Sequence, residues 1–126
     1  MKKNTFVLVL VLAVSLGFSA YTIQQKVKDL VVKKWVLTKG RFKEFNGTTN
    51  EYKSDGTSIT IGKMGSEVYA PQNGTWKLSV DDKQLTTVTS NREPEVFDIV
   101  RLTSDSLVVS KMSHSKKEFS TYVPVK

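Results

Sequence analysis

The chain has 126 residues, enough for one domain. It has no cysteine, which excludes disulfides, zinc-thiolate sites, thiol nucleophiles and lipid attachment through a cysteine. The formal charge is +7, but no dense basic run and no nucleic-acid motif accompanies it, so no nucleic-acid partner is expected.

Residues 1–20, MKKNTFVLVLVLAVSLGFSA, begin with Lys2 and Lys3 and continue as an uncharged apolar run from Phe6. These are the charged and apolar regions of a secretory signal peptide. The strongly apolar part, Phe6 to Leu12, is much shorter than the roughly 20 residues a spanning helix needs. No stable membrane span is therefore expected after signal cleavage. Ala13-Val14-Ser15, Ser15-Leu16-Gly17 and Phe18-Ser19-Ala20 are competing cleavage sites, and an uncleaved N-terminal anchor is the alternative. The expected location is extracytoplasmic, in a periplasm or secreted. The leader lysines account for two charges and leave +5 on residues 21–126. That excess reads as an ordinary lysine-rich surface, with two-lysine clusters in VVKKW and SKKEF.

Residues 21–126 read as one domain. It opens with a short helix. Ile23, Val27, Leu30 and Val31 share one helical face, and Thr22 with Gln25 fits a capping box. The period then changes to two. KKWVLTK puts Trp35 and Leu37 on one face and Val36 on the other. TNEYKSDGTSITIG reads as a hairpin, with Asp55-Gly56 expected in a type I′ turn and Ile59 and Ile61 forming an apolar face. GKMGSEVYAPQNG is rich in glycine and reads as a loop with a short strand at Glu67 to Tyr69. GTWKLSVD aligns Trp76, Leu78 and Val80, and KQLTTVTS follows across Asp81-Asp82-Lys83. EVFDIVRLT and SLVVSKM make a third hairpin around Ser104-Asp105. KKEFSTYVPV sets Phe119, Thr121 and Val123 against Tyr122, and Pro124 suits a strand end.

About eight short strands joined by tight turns pair antiparallel with their chain neighbours. The expected fold is all-β: an eight-stranded antiparallel up-and-down β-barrel with a short N-terminal helix. Eight strands enclose an interior that side chains fill or that holds one small ligand. An all-β sandwich is the competing architecture. The run of hairpins without long crossovers favours the barrel.

The order of LVVKKWVLTK, NEYKSDGTSIT, NGTWKLSVDDKQL and VFDIVRLTSDSLVVS resembles the small exported lipocalin-like proteins common in Bacteroidetes-type bacteria. The shared features are Trp35, the Asp55-Gly56 hairpin, Gly74-Thr75-Trp76, Phe97-Asp98-Ile99, and Leu102-Thr103-Ser104-Asp105-Ser106-Leu107. The resemblance spans about Leu30 to Lys111. It implies an eight-stranded lipocalin-like barrel in an exported protein and implies no particular ligand. The chain departs from larger lipocalins in being shorter and in lacking their disulfide.

Trp35 and Trp76 lie on apolar strand faces, where a large ring orders a barrel floor. Trp76 is also a candidate ligand contact, together with Leu78, Phe97, Ile99, Arg101 and Tyr122, since apolar pockets are lined by aromatics with a few polar groups. Leu85, Leu107, Val80, Val109 and Phe119 are further candidate lining residues. The strand EVFDIVRLT carries a charge on each face, Arg101 beside Phe97 and Ile99, Asp98 beside Val96 and Val100. It is therefore exposed at one end, bulged, or brings a polar group inward. Arg101 inside would suit a ligand carboxylate; an exposed rim arginine is the plainer reading. His114, the single histidine, sits in a Ser-rich turn and reads as solvent-exposed. Asp81-Asp82 reads as a turn rather than a cation site. No nucleophile elbow or phosphate loop is present. Asn46 and Asn73 begin Asn-Gly-Thr triplets, which match glycosylation acceptors but read first as turn pairs.

The sequence thus points to a non-enzymatic protein with no cofactor and no metal. Its expected partner is a small, mainly hydrophobic ligand held in the barrel. The alternative is a structural or protein-interaction module of the cell envelope with a filled barrel. Neither reading sets an oligomeric state.

Overall fold

The computed structural model describes residues 26–126. The signal-peptide reading, Ile23 and the capping box of Thr22 and Gln25 lie outside the described residues. Residues 26–31 are helical, and Val31 at their end is completely buried. No helix among the described residues is long and apolar enough to cross a membrane.

Ten strands come after the helix: β1 (Lys34–Lys39), β2 (Thr49–Tyr52), β3 (Thr57–Ile61), β4 (Lys63–Met64), β5 (Glu67–Val68), β6 (Gln72–Leu78), β7 (Gln84–Thr89), β8 (Glu95–Leu102), β9 (Leu107–Ser113) and β10 (Lys116–Pro124). A 3-10 turn, η1 (Lys43–Phe45), separates β1 from β2. Eight strands form one closed barrel in the order β1-β10-β9-β8-β7-β6-β3-β2, while β4 and β5 form a separate small hairpin. Every pairing is antiparallel, and β1 closes the ring by bonding both β10 and β2. Closure leaves the barrel without a free sheet edge. The expected up-and-down barrel is therefore the fold, with the β4–β5 hairpin standing between β3 and β6. The short strand expected at Glu67 to Tyr69 is β5.

Turn chemistry sets the registers. Ser79 and Asp81 build the β6–β7 turn: Asp81 accepts from the Ser79 hydroxyl at 2.6 Å and from the Lys83 amide at 3.2 Å. At the β8–β9 turn the Thr103 hydroxyl accepts the Asp105 amide at 3.2 Å. The β2–β3 turn differs from the type I′ expectation. Gly56 alone is at positive φ, +87°, and its amide donates to the Lys53 carbonyl at 3.1 Å. Asp55 instead accepts the Thr57 amide and hydroxyl at 2.9 and 2.6 Å, which selects a three-residue loop with one left-handed residue. Paired left-handed residues occur at His114 and Ser115, with φ of 50° and 66°.

Period-two alternation decides what fills the barrel. Trp35 faces Asn50 on β2, Tyr52 faces Ser58, Trp76 faces Thr87, and Leu85 faces Phe97. The β3 face turned inward is thus Ser58 and Thr60. Ile59 and Ile61, the apolar face of the sequence pattern, point outward and are half-buried. Small inward residues fit here because the Tyr52 and Trp76 rings already occupy the space beside them. Gly74 serves the same close approach, since a Cβ there would lie 2.3 Å from the Val88 carbonyl oxygen. Asn73-Gly74 is therefore a strand interior, not the turn its sequence suggests, whereas Asn46-Gly47 does turn, with Gly47 at φ +99°.

The core lies at the end of the barrel nearest the helix. Val31, Trp35, Tyr52, Trp76, Leu85, Leu107 and Val109 form one buried cluster. A buried Trp removes on the order of 200 Å² from water, worth about 5 kcal/mol before entropy is counted. Both indole N–H groups find backbone acceptors. Trp35 donates to the Val31 carbonyl at 3.0 Å, and Trp76 donates to the Lys53 carbonyl at 2.8 Å. The first bond satisfies a carbonyl that the helix end leaves without a partner inside the helix.

Candidate functional site

The inward-facing residues fall into levels along the barrel axis. The floor is the buried cluster around Trp35 and Trp76, with Leu78, Phe97, Ile99, Leu102 and Tyr122 packed against it. Above it lies a polar belt. Thr60 donates to the Asn50 amide oxygen at 2.8 Å, and the Asn50 side chain hydrogen-bonds the Tyr122 phenol. Burial, and then the charge of Glu95, push the Tyr122 phenol up to about 12 despite that bond. Burial raises Tyr52 further still, with Tyr122 and Glu95 adding to the effect. Both tyrosines therefore stay neutral, as hydrogen-bonding groups, at ordinary pH.

At the open end the belt gives way to a cavity of about 540 Å³. Its apolar wall is Leu37, Phe45, Tyr69, Ala70 and Pro71, with Gly62 among them. Thr48, Thr60 and Gln72 supply neutral polar groups, and Lys63 and Arg92 supply positive charge. Local bonds hold this lining in place. The Thr48 hydroxyl accepts the Lys63 amide at 3.1 Å, the Gly65 amide donates to the Glu44 carbonyl at 2.8 Å, and the Tyr69 amide donates to the Gly62 carbonyl at 2.9 Å. These bonds tie the β4–β5 hairpin to η1 and to the β3 end. The opposite rim is crossed by ion pairs: Glu95 with Lys111 at 2.7 Å and Arg41 with Glu118 at 2.8 Å. Lys111 also lies 5.8 Å from the centre of the Phe97 ring.

The residues expected from the sequence divide clearly. Trp76, Leu78, Phe97, Ile99 and Tyr122 all turn inward and come together, but in the floor and belt rather than around the mouth cavity. Arg101 does not join them. The register slips between Ile99 and Arg101, so that Ile99 pairs with Val109 but Arg101 with Val108. This bulge takes up one extra residue and reverses the facing of the residues beyond it. Leu102 then turns inward, and Arg101 is exposed on the outer wall. Val80, 92% exposed beside the β6–β7 turn, and Phe119, 50% exposed and opposite Ser110 on the outer face of β10, also do not line the interior. Leu85, Leu107 and Val109 are core. His114 is exposed in the β9–β10 turn.

Sequence reasoning missed the mouth residues Phe45, Thr48, Thr60, Lys63, Tyr69 and Arg92. Thr60 is on the polar side of β3, the face opposite Ile59 and Ile61, and the others come from η1 and the residues after it, the β4–β5 hairpin and the β7–β8 turn, none of which carries a periodic apolar pattern. The one available signal was the aromatic and cation scattered through GKMGSEVYAPQNG. Among the described residues, no group of three or more His, Asp or Glu side chains is placed to hold a metal ion.

A closed eight-stranded antiparallel barrel with a packed floor and one open, partly apolar mouth defines a calyx-type β-barrel protein. The chain belongs to the lipocalin-like domain family, which it matches over residues 19–109. No curated protein sequence matches it. Among solved structures it is similar in fold to Japanin from Rhipicephalus appendiculatus bound to cholesterol, with a TM-score of 0.54, 13% sequence identity and 75% of each chain covered.

Proposed function

We propose that this protein is an exported, non-enzymatic binder that takes one small, mainly apolar molecule into the mouth of its barrel. The observation that carries the reading is the cavity of about 540 Å³ above the packed floor. Its volume falls in the range of small-molecule sites, and its mix of apolar wall with few polar groups is the usual one for them. The family and the fold neighbour, bound to cholesterol, support the same reading. Affinity would come from removing apolar surface of the ligand from water against Leu37, Phe45, Tyr69 and Pro71. The Lys2-Lys3 start and the apolar run from Phe6 support export.

A second reading is the interaction module with a filled barrel. It is favoured by the solid floor and by Val96 and Val100, exposed on the outer face of β8. Native mass spectrometry of the protein purified from its own host, with organic extraction, separates the two. A stoichiometric small molecule, lost in Ala70→Trp, supports the binder, since Ala70 is an exposed lining position whose enlargement blocks the mouth without touching the core. An empty protein that also ignores neutral apolar dyes would favour the interaction module.

A further inference from the structure

The mouth cavity is electrostatically one-sided. Two cationic side chains line it, Lys63 and Arg92, and no carboxylate does. Two other rim cations are matched, Lys111 with Glu95 and Arg41 with Glu118, while Lys39, Lys43, Lys116 and Lys117 form no ion pair among the described residues and lie outside the lining. Neither Lys63 nor Arg92 has a carboxylate within salt-bridge distance among the described residues. Glu44, Glu67 and Glu93, the acidic residues of the neighbouring loops, are exposed and lie outside the lining.

The fold fixes the backbone from which each cation extends. The Lys63 backbone is fixed by the Thr48 hydroxyl. Its stem lies against Gly47, where a Cβ would come within 2.7 Å of the Lys63 Cδ. Arg92 closes the β7–β8 turn, its amide donating to the Thr89 carbonyl at 3.0 Å, with Asn91 beside it at φ 63°. The two charges thus reach the mouth from different elements, above an apolar wall. Unmatched charge at a partly enclosed, low-dielectric mouth favours a ligand of opposite sign. A guanidinium adds a donor fork that suits the oxygens of a carboxylate or sulfonate.

Resting on the proposed function above, we infer that the ligand is an anionic amphiphile. Its carboxylate or similar oxyanion head sits between Lys63 and Arg92, and its apolar body lies against Leu37, Phe45 and Tyr69. The polar belt under the cavity limits the depth that body reaches.

The test uses two dyes with one aromatic skeleton. Anilinonaphthalene sulfonate carries the anion, and N-phenyl-1-naphthylamine lacks it. Both are titrated by fluorescence at low salt against protein prepared from the full chain, and against its K63Q/R92Q and R92Q variants. Circular dichroism and thermal melting confirm folding. The single variant carries the test alone if the double variant fails to fold, because Arg92 is exposed in a turn. The expected result is a loss of at least tenfold in sulfonate affinity in K63Q/R92Q and of at least threefold in R92Q, with the neutral dye changed less than twofold. Unchanged sulfonate affinity in the variants, or equal losses for both dyes, overturns the anionic head and leaves the apolar-ligand reading standing. Binding of the neutral dye alone does the same. If neither dye binds the unaltered protein, both readings fall.

Discussion

The rings of Tyr52 and Trp76 meet edge-on in the barrel floor, their centroids 5.6 Å apart and their planes 63° apart. This contact joins β2 to β6 across β3, whose inward residue between them is Ser58. It makes Trp76 a structural residue first. Trp76→Phe removes the bond to the Lys53 carbonyl and part of the packed volume. We expect a loss of about 2 kcal/mol in urea unfolding. Dye binding per folded molecule should be retained, because Trp76 does not line the mouth cavity. Lost binding in a folded Trp76→Phe protein would put the ligand in the floor instead.

The tyrosines set an alkaline limit. An unfolded tyrosine ionises near about 10, whereas Tyr122 is raised to about 12 and Tyr52 is raised as well, both mainly by burial. Above the unfolded value the unfolded chain gives up protons that the folded chain keeps. Stability from these groups is thus full below about pH 10 and falls as pH rises through the folded values, by up to about 1.4 kcal/mol per pH unit for each tyrosine. Urea unfolding from pH 9 to 11.5 should show the decline, and Tyr52→Phe should make it shallower. Equal slopes in the two proteins would contradict the burial of Tyr52.

The β9–β10 turn stores a correctable cost. His114 and Ser115 both occupy the left-handed region, where side chains other than Gly, Asn and Asp are disfavoured by about 1–2 kcal/mol per residue. Replacing them together with Asn and Gly, the pair preferred for a type I′ turn, should stabilise the protein by about 1 kcal/mol and raise the melting temperature by a few degrees. A decrease would mean that His114 or Ser115 makes a contact beyond the turn.

Two glycines should respond differently to alanine. At Gly74 a Cβ would meet the Val88 carbonyl at 2.3 Å, so Gly74→Ala should cost about 1–3 kcal/mol through forced strand separation. At Gly40 the nearest atoms lie at 3.6 Å or more, an ordinary contact, so Gly40→Ala should fall within about 0.5 kcal/mol. Paired chemical denaturation curves distinguish the two, and similar costs at both sites would argue against the close approach of β6 and β7.

The contrast between floor and mouth also marks what the sequence makes legible. Trp35 with Leu37, and Trp76 with Leu78, could be assigned to one side of their strands because alternation is a local property. Alternation alone left Arg101 on the same face as Phe97 and Ile99; a single bulge near Val100 shifts parity and puts it outside, in line with the plainer reading of an exposed arginine, and a charge on each face was the bulge's trace. Alternation also placed Ile59 and Ile61 together without saying which side of β3 faces inward; Tyr52 and Trp76, on the neighbouring strands, decide that. The cavity was least visible. Phe45, Lys63 and Arg92 meet there only because closing the barrel brings three separate loops to one end. Loop residues with no periodicity carry no record of that meeting.

The central claim is that the open mouth, rather than the floor or outer wall, holds the ligand. Backbone amide NMR of the folded protein titrated with N-phenyl-1-naphthylamine tests it most directly. The expected result is saturable shifts concentrated at Thr48, Thr60, Gly62, Ala70, Gln72 and Arg92, the lining of the cavity. Shifts confined to the outer wall around Val96, Val100 and Phe119, or no saturable shifts at all, would contradict it.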